Sequence, residues 1–535
     1  MGGSLSEDTN PARGGPKSSR RAEASRLGAV AALLAGSVLL SRILGYLRDV
    51  VLANRVGAGP EADAYFVAFL LPDLLNYLLA GGALAIAFIP LYSRVRDRDG
   101  DDRAERLFHT VLGTLGVLVV VGTVGLWIEA DRIAARALDG FDPERRALAI
   151  RLIRIVLPAQ IFFVTGGILR AVLMAHGRFG AQAMAPLIYN SCVIVGGLAT
   201  GSVEGFAWGT VVGAFVSNWL VPLFEIRGIR RIGLRVAPLD PLFRRYLWIA
   251  LPLMLGISLV TVDEWYEKFF AQQLEAGAIA QLHYARKVMM APVALVGQAI
   301  GAAALPVLAN LWSLGRVPEL NQTLLRTLRV ALSLGIFAGA GCFAFSGLLV
   351  EVLFQHGRFS ADSAASAGQL LGIMAFAVPA WVVQQVAVRA FYAREDTWRP
   401  MILGSLVAVA AIPLYLLLRE ERGVEGLALA GAIALSVNAL ATCAWVHLRF
   451  GGLDVAALAS SAARSLAIAL PAAWLGGLTR TGLATGWPGA ALDLAAGGAI
   501  FIAVAAAGIF AIGDASLRNT LRAALSRANS ANAKP

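Results

Sequence analysis

Arg42, Arg48 and Asp49 stand inside an apolar run, "SRILGYLRDVVLANRVGAGPEADAYFVAF", that extends from Ser41 to Phe69. An ionisable side chain at bilayer depth costs about 2.5–3.5 kcal/mol even on the gentler insertion scales, so residues kept there need a task. On a helix Arg42 and Asp49 are two turns apart and share a face, Gly45 leaves a gap between them, and Arg48 lies about 100° round from Asp49. Asp63 and Asp73 follow within the next apolar segment. Far along the chain a second set stands in equivalent surroundings: Asp263, Glu264, Glu267 and Lys268, then Arg286 and Lys287 in "YARKVMMAP". Charges of opposite sign can clamp helices together, and near helix ends long side chains reach back to the head groups. Asp63, Asp73 and the Asp263–Lys268 cluster admit that reading. Arg42, Arg48, Arg286 and Lys287 are read as cations that outnumber the embedded anions beside them. Facing a cavity with low-dielectric walls, they would give it a positive potential. A guanidinium fork matches the oxygens of a phosphate, so the chemistry expected of this set is recognition of a phosphate-bearing head group.

Other chemistries lack their residues. The sequence has no P-loop, no G-x-S-x-G elbow and no H-E-x-x-H. The five histidines are not at metal-ligand spacing, and His176 and His356 fall near loop ends, where a capping role is expected. Cys192, Cys342 and Cys443 are scattered through apolar segments and read as inert thiols.

The elements that position the charges are membrane helices. Of 535 residues, 58% are hydrophobic and 15% charged, whereas a soluble domain carries about 25% charged residues. Segments of about 20 apolar residues recur fourteen times, which predicts an all-α polytopic protein with fourteen transmembrane helices. The net charge of +11 is mostly arginine. It is assigned to loops that set topology rather than to nucleic-acid binding. Basic loops such as "SRVRDRDGDDRAER" and "EIRGIRRIGLRVAPLDPLFRRY" fall on the side of the amino terminus, placing both termini in the cytoplasm. Residues 1–26, polar and rich in Gly, Ser and Arg, read as a disordered cytoplasmic tail, and 516–535 as a cytoplasmic tail.

The chain also repeats. "GAGPEADAYFVAFLLPDLLNYLLAGGALAIAFIPLYSRV" resembles "EAGAIAQLHYARKVMMAPVALVGQAIGAAALPVLANL", with Pro90 matching Pro306. "LPAQIFFVTGGILRAVLMAHGRF" pairs with "VPAWVVQQVAVRAFYAREDTW", aligning Pro158 with Pro379 and Arg170 with Arg389. An offset of six helices preserves orientation, so two parallel pseudo-symmetric lobes are expected, as in some transporters. The division reads as an N-lobe over 27–227, a C-lobe over 228–450 and an appended helix pair over 451–515.

The opening stretch, continued as "SRILGYLRDVVLANRVGAGPEADAYFVAFLLPDLL", resembles the signature of the MurJ (MviN) lipid II flippases, members of the multidrug/oligosaccharidyl-lipid/polysaccharide exporter superfamily. Weaker matches follow in the family's order: "GGALAIAFIP", "APLIYNSCVIVG", "AIGAAALPVLANL", "VLFQHGRFSADSA" and "VRAFYAREDTWRP". The resemblance implies a transporter, not an enzyme, in the bacterial cytoplasmic membrane. It would move lipid II, an undecaprenyl-diphosphate-linked peptidoglycan precursor, to the outer leaflet by alternating access for cell-wall synthesis, in reach of cell-wall synthesis proteins. By position it puts Arg42, Arg48, Asp49, Asp63, Arg286 and Lys287 in a central substrate cavity, and the lipid tail in a groove shaped by the last two helices. No cofactor is implied beyond coupling to the membrane potential or a monovalent cation, and Asp263 and Asn438 are the candidate sodium ligands. The chain departs from the family in its second span. Where family members carry arginines and a glutamate, "LPDLLNYLLAGGA" puts Asn76, Tyr77 and Gly81, and Lys287 stands for an arginine. Those departures keep open a flippase for another polyprenyl-linked oligosaccharide, or a transport-inactive scaffold. A drug antiporter of the superfamily would call for an acidic cavity instead.

Overall fold

A computed structural model describes residues 16–79, 83–227, 232–255, 259–479, 481 and 486–532, all helices and connections with no strand among them. Helix α1 (Pro16–Val56) starts ten residues inside the expected tail. Proline suits a first helical turn and the following Arg- and Ala-rich run favours helix, which corrects the tail's boundary. α2 (Pro60–Ala68), α3 (Leu70–Leu79) and α4 (Ala83–Asp99) continue the N-lobe, with Pro90 inside α4. α5 (Asp101–Ala137), α6 (Pro143–Val156) and α7 (Ala159–Ala175) follow. Asp142 caps α6 by accepting from the Arg145 N–H at 2.9 Å, and that bond holds its carboxyl below the usual carboxylate range. α8 (Gly180–Thr200) and α9 (Val203–Phe215) cross closely, Gly196 against Gly205 and Gly209. Such small-residue seams hold helices together where water gives no driving force. A π turn at Val216–Leu220 joins α9 to α10 (Val221–Ile226).

The next span is shared between the lobes. α11 (Pro241–Leu255) sends Phe243, Tyr246 and Ala250 into the N-lobe core with Phe88 and Tyr92. α12 (Leu259–Ala271) packs against the helix that carries Tyr415. The passage between lobes therefore falls within this span and not at the expected 227/228 junction, because the aromatic face of α11 has its apolar partners in the N-lobe.

The C-lobe proper is α12, α13 (Ala278–Pro292), a π turn at Val293–Gln298, α14 (Ala299–Ser313), α15 (Val317–Ala344) and α16 (Ser346–Phe354). α17 (Ala361–Ala375), α18 (Val378–Ala387), α19 (Arg389–Tyr392) and α20 (Trp398–Phe450) complete it. α20 is two helices that meet at a sharp kink at Gly423, with φ 57° and ψ −127°, so that Tyr415 before the kink and Gly431 after it both reach Asp263. The repeat has structural counterparts. Gly59 and Gly277 precede α2 and α13, and Pro90 and Pro306 both lie inside helices, α4 and α14. α21 (Val455–Gly477) and α22 (Gly486–Ile512) pack on α15, and α23 (Ala515–Asn532) ends the described chain. Among the described residues ten helices are long and apolar enough to cross a membrane, or eleven with the bent pair α17–α19. The fourteen spans read from the sequence are not all counted by that measure. α20 holds two of the expected spans, on either side of the Gly423 kink, and is counted once, and α1 and the interrupted α11–α12 are not among those counted.

Candidate functional site

Between the lobes lies a polar chamber of about 590 Å³. Its N-lobe wall is α1, with Ser41, Arg42, Tyr46 and Arg48, joined by Tyr189 and Asn190 of α8. Its C-lobe wall comes from α12, α13 and the π turn after it, with Glu264, His283, Arg286, Lys287 and Gln298. The helical spacing read from the sequence thus brings Arg42, Arg48, Arg286 and Lys287 to one void.

Each cation has a distinct partner. Arg42 donates to the side-chain oxygen of Gln298 at 2.6 Å and, among the described residues, is paired with no carboxylate. Arg48 donates to its neighbour Asp49 at 2.9 Å and to Asn190 at 3.4 Å. Lys287 Nζ lies 2.7 Å from the same Asp49, whose side chain is buried, and over the Tyr46 ring. Tyr46 in turn donates to the Lys287 carbonyl at 2.8 Å. Asp49, buried and outside the chamber lining, holds Arg48 and Lys287 in place, so two cations from opposite walls share one carboxylate while Arg42 bonds a neutral amide.

The opposite wall differs. Arg286 is gripped by Asp263 and Glu267 of α12, and Lys268 by Glu264 at 2.8 Å within electrostatic reach of Asp73. The expected surplus of cations holds for the α1 side alone, because α12 brings three carboxylates whose positions the charge count along the chain did not connect with α13.

Asp63 corrects the sequence reading. It is fully buried, is not part of the chamber lining, and accepts from the backbone N–H of Gly277 at 2.6 Å, that of Ala280 at 2.8 Å, and Arg145 at 3.3 Å. It closes the N-terminus of α13 across the lobe boundary, where four backbone donors lack helical partners. Around it the two lobes touch by backbone. The Arg358 N–H reaches Asn54 O at 2.9 Å and Tyr284 donates to Gly57 O at 3.3 Å. Gly57 and Gly277 have positive φ, and a Cβ on either would strike the other lobe, at Arg358 O (2.6 Å) and Ala58 O (2.3 Å). Beneath this clamp Phe66 stacks on His283 with ring centres 3.9 Å apart. The chamber is closed at this end by a polar clamp over an aromatic layer.

The expected sodium ligands are not brought together. Asp263 accepts from Arg286 and Tyr415 and lies against Gly431, while Asn438 is two turns further along the same helix, about 10 Å away. Among the described residues no cluster of three or more His, Cys, Asp or Glu is placed to hold a metal. In the divergent second span Tyr77 packs edge-on against Trp265, and Gly81 lies outside the described residues. Asn190, His283 and Gln298 enter the site unannounced by the sequence. They are single uncharged polar residues in apolar helices, and only their depth in such helices could have marked them.

Two further spaces adjoin the lobes. A crevice of about 850 Å³ runs between α14, α15 and α23, with an apolar floor at Ile300, Val307 and Val330 and Thr323, Arg326 and Asn519 at its rim. Beside it Asp514, buried at the junction of α22 and α23, takes Arg329 and Ser461, each at 2.6 Å, fastening the appended pair to α15.

Two helical lobes around a polar chamber, clamped at one end and joined by a span they share, have the architecture of a membrane transporter. Solved structures with this fold include lipid II flippase MurJ in an inward closed conformation, with TM-score 0.75, 20% identity, 89% of this chain covered and 98% of that one. They also include an inward-facing multidrug resistance MATE family transporter of the MOP superfamily, with TM-score 0.64, 16% identity, and 78% and 96% covered. The family described as "Lipid II flippase MurJ" matches residues 52–491. Similar proteins are the probable lipid II flippase MurJ of Rhizobium meliloti (strain 1021), 29% identical over 77% of this chain and 80% of that protein, and lipid II flippase MurJ of Burkholderia cenocepacia, 27% identical over 76% and 81%. The chain belongs to the MurJ family, multi-pass proteins of the bacterial inner membrane.

Proposed function

We propose that this chain moves lipid II from the inner to the outer leaflet, with the diphosphate of the head group held by Arg42, Arg48 and Lys287. The observation that carries the reading is the chamber itself, lined by Arg42, Arg48, Arg286 and Lys287 with Glu264 as its one carboxylate among the described residues, between two lobes clamped at one end. Arg42, bonded to a neutral amide, gives its guanidinium to an anion at the cost of one hydrogen bond. Lys287 adds a point charge without a fork.

With the amino terminus in the cytoplasm, the Asp63 clamp lies on the outer side and the chamber serves the inner leaflet. Release outward then requires Asp63 to leave Gly277 and Ala280 while the lobes close at the other end. The polyprenyl tail stays in lipid, along the appended helices and the crevice under α23. A membrane potential acts on the exported anion with about 2.3 kcal/mol per charge per 100 mV. Cell-wall synthesis enzymes are the class of partner that would use the exported precursor.

The test is complementation of cells depleted of their own flippase, with outward exposure of lipid II as the readout. Wild-type chain should restore exposure, and a variant with Arg42, Arg48 and Lys287 all changed to alanine should not. Restored exposure by the triple variant sinks the assignment. Asn76 and Tyr77, standing where relatives carry charge, favour one second reading: a different polyprenyl-diphosphate glycan as cargo. Failure of the wild type to complement, with binding of another lipid-linked glycan, would select it.

A further inference from the structure

Two carboxylates in the C-lobe wall share one guanidinium. Asp263 and Glu267 lie one turn apart on α12. Glu267 accepts from Arg286 Nε at 2.8 Å, and both carboxylates accept from Nη2. Tyr415 of α20 also donates to Asp263. Asp263, Glu267 and Arg286 are 1%, 3% and 7% exposed, so the group sits in the protein core. Yet Arg286 lines the chamber, and its Nη1 has no hydrogen-bond partner.

The charges around the group are accounted for. On α12 Glu264 holds Lys268, which also faces Asp73 of α3. On α13 His283 and Lys287 turn toward Asp49 and Arg48 of α1. On α20 Arg419 bonds Gln273 beyond the end of α12. Among the described residues, no second cation is bonded to Asp263 or Glu267.

We propose that Asp263, Glu267 and Arg286 form a charge exchanger, in which Arg286 moves onto the bound diphosphate and one proton takes its place between the carboxylates. The inference rests on the reading of the chamber as a diphosphate site. Two ionised carboxylates left in the core without their cation cost several kcal/mol each. Like-charged acids that share a site hold a common proton instead. The balance closes. Before exchange two negative charges face one guanidinium; afterwards two carboxylates share one proton from chamber water, and the wall keeps the same net charge. The guanidinium stays protonated throughout and adds its free Nη1 to the phosphate oxygens. Head-group binding therefore takes up a proton, and affinity falls as pH rises.

Calorimetric titration tests this on the full-length protein in detergent. The probe is a short-chain, water-soluble lipid II analogue whose diphosphate diester keeps its charge near neutrality. Two buffers of different ionisation enthalpy count the protons. Wild type should take up about one proton per analogue bound, and its affinity should weaken by up to about tenfold per pH unit. Glu267→Gln should bind with no uptake and no pH dependence, and Asp263→Asn gives the same readout on a second background. Binding by wild type without proton uptake overturns the exchanger, as does full uptake retained in both variants. Absence of any binding by wild type overturns the chamber reading itself, so the two failures are told apart.

Discussion

The two walls of the chamber carry similar numbers of cations and use them differently. On the α1 side Arg42 bonds a neutral amide, and Arg48 shares one aspartate with Lys287, which reaches across from α13. On the α12 side Arg286 is opposed by two carboxylates and Lys268 by one. A cation is available to a ligand when its present partners are weaker or fewer than those the ligand offers. The α1 wall is ready for an anion, whereas the α12 wall must first be unlocked. The lobes repeat in backbone, but their charged residues have diverged into a receiving face and a latched one.

Removing the receiving face should have the largest effect. Hydrogen bonds to charged groups contribute about 1.5–3 kcal/mol, so Arg42→Ala or Arg48→Ala should each weaken head-group binding roughly tenfold to hundredfold. The double variant should lose lipid II exposure in depleted cells. If the double variant exports normally while Arg286→Ala fails, the roles of the two walls are reversed.

Next comes the clamp that sets both walls at their present spacing. Asp63→Asn takes from the buried Arg145 its buried carboxylate and leaves it only the exposed Asp142 at 3.3 Å, a loss of up to about 3–5 kcal/mol for a broken buried pair. Spin labels at the exposed Glu144 and Asp362, on opposite lobes at the clamped end, should report a longer distance in this variant. An unchanged distance would reduce Asp63 to a local helix cap.

A finer contrast separates fork from point charge. Arg42→Lys should weaken binding by about tenfold through loss of the two-pronged geometry, whereas Lys287→Arg should hold or improve it. Equal effects of both exchanges would mean that only charge matters on the receiving face.

The smallest effect concerns the appended helices, fastened to one lobe alone. Burial pushes the Asp514 carboxyl up, but Ser461, Arg329 and the Ser516 N–H outweigh it and hold the group below the usual carboxylate range. A depressed carboxyl stabilises fully above its unfolded value of about 3.9 and loses that contribution only as pH falls through the folded value. Proteolysis of α23 should therefore be constant near neutrality and rise only in acid. A rise already on going from mildly alkaline to neutral pH would place the fastening elsewhere.

Much of this was legible in the chain. Embedded charges on two-turn spacing marked α1 as a wall, and the repeated Gly and Pro positions marked α2–α4 and α13–α14 as equivalents. Side-chain pairing across helices was not legible. Asp63 looked like a cavity residue because sequence shows its depth but not the helix end it meets, 214 residues later. Asp263 and Glu267 gave no sign that they would clamp Arg286, since the turn that folds α13 back on α12 decides it. The sharing of the α11–α12 span between lobes depends on which core its aromatics find.

A photoreactive residue at Ala294, in the π turn lining the chamber, tests the central claim most directly. With radiolabelled lipid II in membranes, it should crosslink in the wild-type background and lose the crosslink when Arg42 and Arg48 are alanine. Crosslinking that is undiminished in that double variant, or absent in wild type while lipid II is still exported, would contradict a head group held by these cations.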